Sequence, residues 1–178
     1  ETFGVGSSRP RERVERLRET LEVLRALWAG ESVTYHGEFH HLDAALQQPS
    51  PQARIPVVIG GAGPKTLALV REHADWWNLH VGLLDRVHEL RDQVGDARVS
   101  IQQMVAYVPD EASRKEVAEA AARRFGRSSP VIGTGPELVD HYGRLADEGI
   151  ERVYTWFCDF APPTTLAAFG DEVIAHLG

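Results

Sequence analysis

Residues 55–78 read IPVVIGGAGPKTLALVREHADWWN, and the order of their parts decides the fold. A short apolar run (Ile55, Val57, Val58, Ile59) meets a glycine turn, Gly60-Gly61-Ala62-Gly63. Pro64 then opens a helical stretch, and a second apolar-aromatic run, Trp76-Trp77-Asn78, follows it. Strand, tight turn, helix and strand in that order describe a βα unit of a parallel sheet. Glycine lets the backbone approach a ligand closely, and proline suits the first helical position, where its missing N–H would have no partner anyway. The free N–H groups and positive dipole end of such a helix form an anion site, with phosphate the usual occupant. The plain alternative is a tight connection with no ligand, because glycine clusters mark turns in general. Lys65 could add a positive charge to the first helical turn, although a solvated surface lysine is the simpler reading.

Downstream, strand and helix keep alternating. The patterns predict strands at Val57–Gly60, Trp76–His80, Val99–Val108 and Arg152–Cys158, with helices at Pro64–His73, Leu83–Val94, Asp110–Phe125, Thr134–Glu148 and Thr164–Leu177. Upstream, Val14, Leu17, Leu21, Leu24 and Trp28 recur at helical spacing over Pro10–Ala29, with Ser8 as N-cap and Gly30 just past the end. Ser32–Leu42 alternates around His36-Gly37 and reads as a small two-stranded excursion, Phe39 and Leu42 falling in its second arm. Gln47–Pro56 holds three prolines and reads as a loop. Four βα units are too few for a closed eight-stranded barrel, which typically needs ~200 residues or more. They fit a small open doubly wound sheet or half of a barrel, and the pattern alone leaves both open.

Composition narrows the function classes. Of 178 residues, 43% are apolar and 25% charged, as in an ordinary globular protein. The net charge of -7 argues against a broad nucleic-acid surface. No apolar run is long enough to span a bilayer, so no membrane partner is expected. The single cysteine, Cys158, lies in an apolar-aromatic run and reads as a buried thiol in a reducing compartment, the cytoplasm. The chain opens with Glu1, and its one methionine is Met104, which suggests a fragment or a lost natural start.

His36, His40 and His41 lie close in sequence. An extended hairpin would point His40 and His41 to opposite faces, so no metal site is expected there. Of the scattered histidines, His80 alone lies near a predicted strand end, which makes it a weak candidate for the substrate side. No paired carboxylates or nucleophile constellation emerge, and no residue is assigned a catalytic role. The glycine-rich loop Phe3–Ser8 follows no strand and is a weak phosphate signal.

Three passages, in order, resemble the C-terminal half of the bacterial-luciferase-like flavin and deazaflavin oxidoreductases. RERVERLRETLEVLRALWAGESVTYHGEFHHL is similar to the family's charged helix ending in Leu-Trp and its small extended insertion. IPVVIGGAGPKTLALVREHADWWN resembles its strand, glycine turn, helix and following aromatic-Asn strand. GTGPELVDHYGRLADEGIERVYTWF resembles its last helix and strand. The resemblance implies an α/β fold, a partial (β/α)₈ TIM barrel. Residues 1–178 would form one domain: connecting loop and helix over 1–30, insertion and loop over 31–55, and the last four βα units over 56–178. It implies a cofactor-phosphate site at Gly60, Gly61, Ala62 and Gly63 with Trp77 and Asn78, Asn78 standing at a strand's C-terminal end, where barrels gather ligand groups. The cofactor would be F420 or FMN, the run of the sequence leaning to F420. The expected partners are a small-molecule substrate and a second copy in a homodimer or other self-association. In this family most groups that hold the cofactor ring come from the half that would precede Glu1, so this chain alone is expected to lack a complete catalytic site. The reading that competes is a non-catalytic half-barrel that binds a phosphate-bearing ligand or associates with itself.

Overall fold

Helix α1 spans Pro10–Trp28 in the computed structural model, which describes residues 9–126 and 130–177. Ser8 and the Phe3–Ser8 loop lie outside the described residues. At the start of α1 the Glu12 carboxylate accepts the Arg9 N–H at 3.1 Å, satisfying one of the donors that a helix start leaves free. At its end Gly30 takes φ +82 and donates to the Leu27 carbonyl at 3.1 Å. The apolar stripe lies inward: Leu21 is buried, and Val14, Leu17 and Trp28 pack on the same core.

The hairpin pairs β1 (Val33–His36) with β2 (His41–Ala45), antiparallel. Its tip is tied to α1. The Glu19 carboxylate accepts the N–H groups of Glu38, Phe39 and His40 at 2.7, 2.8 and 3.0 Å. Phe39 therefore belongs to the turn, not to the second strand as its alternation suggested.

Among the described residues the main sheet has five strands, all parallel. β3 (Val58–Gly60), β4 (Trp76–Leu79) and β5 (Arg98–Tyr107) pair in chain order. A fifth strand, β6 (Val131–Gly133), was not expected from the sequence; β7 (Arg152–Phe157) completes the set. Val105 pairs with Val131 and with Phe157, so β6 and β7 lie on opposite edges of β5. Ser100 and Ile101 likewise pair with both β4 and β7. β4 and β6 thus share one edge of β5, one beyond the other.

The crossovers are α2 (Pro64–His73), α3 (Val87–Arg91), α4 (Arg114–Phe125), α5 (Gly135–Asp147) and, after β7, α6 (Pro163–Glu172). Helix α2 has the predicted bounds. The predicted Leu83–Val94 helix is broken: a 3₁₀ segment, Val81–Arg86, precedes the short α3, and Leu83 leaves helical geometry at φ -123. The predicted last helix also stops early, at Glu172, because Val173 turns at φ -118 to bury itself in the core.

Strand alternation and parallel register sort the side chains into two faces. Ile59, Trp77, Leu79, Val99, Ile101 and Val105 lie on one face and are buried under helices α2, α3, α5 and α6. Val153, Thr155 and Phe157 of β7 share that face and are half-buried, Phe157 meeting Phe169 edge-on at 4.9 Å. The opposite face carries Val58, Tyr154 and Trp156, all exposed. Over its far end, α4 packs on Ala106, Ile132 and Cys158. One face under helices and one left open is consistent with part of a barrel wall.

Candidate functional site

The glycine turn sits where the fold places it, between the C-terminal end of β3 and the start of α2. Gly61 takes φ +123, a conformation that essentially only glycine adopts. Its carbonyl is held from behind by the indole N–H of Trp77 at 2.8 Å. Gly63 is the N-cap of α2 at φ -73, ψ 145, with Pro64 next, and its carbonyl accepts the Leu67 N–H at 2.9 Å. The N–H groups of Gly61, Ala62 and Gly63 find no acceptor among the described residues. A Cβ on Gly63 would meet nothing nearer than Thr66 Oγ1 at 4.0 Å. The fold therefore does not demand glycine at 63, whereas close approach of a ligand would. Beside the turn, Pro10, Arg11, Val14, Gly63, Pro64 and Lys65 line a cleft of about 320 Å³, which brings the cationic Arg11 and Lys65 next to the helix start.

Gly60 is in register with Asn78, Asn78 with Ser100, and Ser100 with Arg152, making one row across the open face. The Asn78 amide donates to Ser100 Oγ at 3.3 Å. Asn78 thus shares a face with Gly60, while Trp77 does not: it is wholly buried on the helix side and reaches the turn only through its bond to Gly61. Below this row the guanidinium groups of Arg98 and Arg152 lie over the Trp76 ring, at 4.3 and 3.7 Å from its centre. Ser100, Arg98 and Arg152 were not singled out in the sequence. The period-two reading of β5 and β7 that groups them was available, but their neighbours across strands were not.

Other candidates resolve into local roles. His80 Nδ1 accepts the Gly82 N–H at 3.0 Å and caps its own turn. His40 Nε2 meets Thr20 Oγ1 at 2.9 Å, while His36 and His41 pair across the hairpin with ring centres 6.3 Å apart. Among the described residues no group of three or more His, Cys, Asp or Glu could hold a metal ion. Cys158 is buried, and burial with Asp159 beside it pushes its thiol up, the reverse of what a nucleophile needs. A cleft of about 670 Å³ lies between α5, β7 and residues 174–177 and includes none of the glycine-turn residues. No helix among the described residues is long and apolar enough to cross a membrane.

Similarity to known proteins bears on what this geometry belongs to. Over 74 residues, 42% of this chain, the sequence is 34% identical to an F420-dependent glucose-6-phosphate dehydrogenase of Microbacterium testaceum, of which the match covers 22%. Over 176 residues it is 32% identical to an uncharacterised protein of Mycobacterium tuberculosis, covering 93% of this chain and 54% of that protein. The chain therefore spans about half the length of that relative and less of the dehydrogenase. The fold superimposes on EDTA monooxygenase from Chelativorans sp. BNC1 with a TM-score of 0.78 at 15% identity, covering 99% of this chain and 63% of that one. It also superimposes on an F420-dependent secondary alcohol dehydrogenase, TM-score 0.72 at 18% identity, with 97% and 64% covered. Residues 1–156 match the luciferase-like monooxygenase model, and with the parallel sheet and glycine turn in place the chain belongs to that family of flavin- and deazaflavin-dependent oxidoreductases.

Proposed function

We propose that this chain forms the cofactor-phosphate side of a luciferase-like oxidoreductase, with β3, β4, β5 and β7 as the last four strands of a (β/α)₈ barrel, β6 as an added short strand, and the preceding helix and hairpin alongside. The observation that carries this reading is the run of N–H groups at Gly61, Ala62 and Gly63, without an acceptor among the described residues, at the start of α2. A phosphate oxygen placed there would accept those donors and sit at the positive end of the helix dipole. Asn78, which shares a face with Gly60, would bond the same ligand, and Lys65 and Arg11 would lower the cost of its charge. The ligand that fits is FMN or F420. We favour F420, because F420-dependent glucose-6-phosphate dehydrogenases are 34–39% identical over 30–42% of this chain. The cofactor would supply the hydride or oxygen chemistry from its ring. This chain's residues would bind its phosphate and fix its position, leaving a small-molecule substrate to enter at the same end of the sheet.

The test is a titration of FMN and of F420 against the natural full-length protein and its Gly63→Val variant, with thermal melts in parallel. The variant should fold normally and bind the phosphate-bearing cofactor many-fold more weakly. Equal affinity in a folded variant would reduce the turn to a connection.

The exposed Val58, Tyr154 and Trp156 favour a second reading, a module that associates through its open face. Sedimentation over a range of concentrations separates the two. A species that stays at 19.7 kDa throughout removes the self-associating module.

A further inference from the structure

We propose that Trp156, with Tyr154 beside it, is the wall on which the flat ring of the cofactor rests, an inference that depends on the reading given above for the glycine turn. Large aromatic side chains normally bury most of their surface, yet Trp156 is 56% and Tyr154 40% exposed within a strand that is hydrogen-bonded to β5 along its whole length. Both lie on the open face that Gly60 and Asn78 share. Arg152 completes the row running from Gly60 through Asn78 and Ser100, and Tyr154 and Trp156 are the next two positions up β7 on that side. Trp156 is the penultimate residue of β7, as Asn78 is of β4, so both stand at strand C-terminal ends.

The surroundings hold this wall in place. Arg124 of α4 donates to the Cys158 carbonyl at 2.9 Å, pinning β7 just beyond Trp156. Arg152 donates to the Tyr154 hydroxyl at 3.2 Å. Helix α4 covers Ala106 and Cys158, one step further along the same face, and ends the exposed band there.

The chemistry of the band selects its occupant. Gln102, exposed and in register with Tyr154, and Arg152 below it set an amide and a guanidinium beside two aromatic faces. An apolar helix laid across this band would bury the Gln102 amide without a partner and take the Arg152 guanidinium out of water, at a cost of several kcal/mol. A planar heteroaromatic ring with a polar edge can stack on Trp156 and Tyr154 and still leave those groups partners. FMN and F420 both carry such a ring.

The experiment is acrylamide quenching of tryptophan fluorescence in the full-length natural protein and in Trp156→Phe, whose difference isolates Trp156 from the other three tryptophans of this chain. Trp156 should be accessible in the cofactor-free protein and several-fold less quenchable at saturation with FMN or F420. Trp156→Ala should weaken binding of the same cofactor by about tenfold, the order of one stacking contact, with affinity for inorganic phosphate unchanged. A Trp156 already shielded before cofactor is added overturns the proposal, since protein then covers it. If cofactor binds, Gly63→Val abolishes that binding and Trp156 stays accessible at saturation, the ring wall alone is wrong. If neither cofactor binds, the ring wall and the reading of the turn fail together.

Discussion

The indole N–H of Trp77 donates to the carbonyl oxygen of Gly61 at 2.8 Å. A side chain wholly inside the core thus sets the position of an exposed turn. Trp77→Phe keeps most of the ring and removes the donor. It should cost at least about 1 kcal/mol of stability and loosen the turn, weakening FMN or F420 binding as well. Chemical denaturation and a cofactor titration read the two effects separately.

The glycines of the turn should behave differently from one another. Gly61→Ala must hold a Cβ at φ +123 and 3.1 Å from Thr66 Cγ2, for an expected loss of about 1–3 kcal/mol. Gly63→Ala meets open space at an ordinary φ and should change stability by no more than about 0.5 kcal/mol. Melting both variants checks the order.

Glu19 and Gly37 fix the hairpin to α1. A Cβ on Gly37 would lie 2.3 Å from Glu19 Oε2 and 2.6 Å from the Tyr35 ring. Gly37→Ala should therefore drive the carboxylate away from the N–H groups of Glu38, Phe39 and His40. In amide hydrogen exchange those three protons should lose protection in Gly37→Ala and in Glu19→Ala, while β4 and β5 stay protected.

Acid should release the start of α5. The Arg114 guanidinium, followed by the Thr134 N–H, holds the Glu137 carboxyl down to about 2 from an ordinary 4.5. A folded-state value below the unfolded one stabilises above the unfolded value and ceases to do so as pH falls through the folded one. This contribution should therefore be complete above pH 4.5 and disappear towards pH 2. Melting temperatures across that window should fall less steeply for Glu137→Gln than for the parent.

Phe169 is the hinge of the aromatic packing under β7, with Phe157, Tyr142 and Tyr107 edge-on at 4.9, 6.3 and 6.4 Å. Phe169→Ala should cost about 3–5 kcal/mol, and urea denaturation would show it.

Much of this was legible in the sequence, because strong periodicity coincided with turn chemistry. Pro64 and the glycines before it mark the start of α2, and the break at Ala74-Asp75 marks its end, so its bounds agree with the structure. Strands β3, β4, β5 and β7 were legible for the same reason, β3 through the apolar run and glycine turn that frame it. Val131–Gly133, equally short, has no such apolar run before it and becomes a strand through pairing with Val105–Tyr107. The Val81–Arg86 segment carries helical spacing at Leu83 and Val87, but its 3₁₀ winding is set locally, by His80 capping the Gly82 N–H. Of the candidate site, the place of the glycine turn between strand and helix, and of Asn78 near a strand's C-terminal end, could be read directly. The burial of Trp77 and the exposure of Trp156 could not, since they depend on which sheet face the helices cover.

The pairing of β5 with β4 and β6 along one edge and with β7 along the other has a mechanical consequence. Every main-chain ladder that joins β3 and β4 to β6 or β7 passes through this one strand. Cutting it would divide the sheet into three pieces, whereas losing β3 or β6 would only narrow it. The flank that carries the glycine turn and the flank that carries Trp156 are thus fastened to a common spine, free to loosen independently but unable to drift apart while β5 holds.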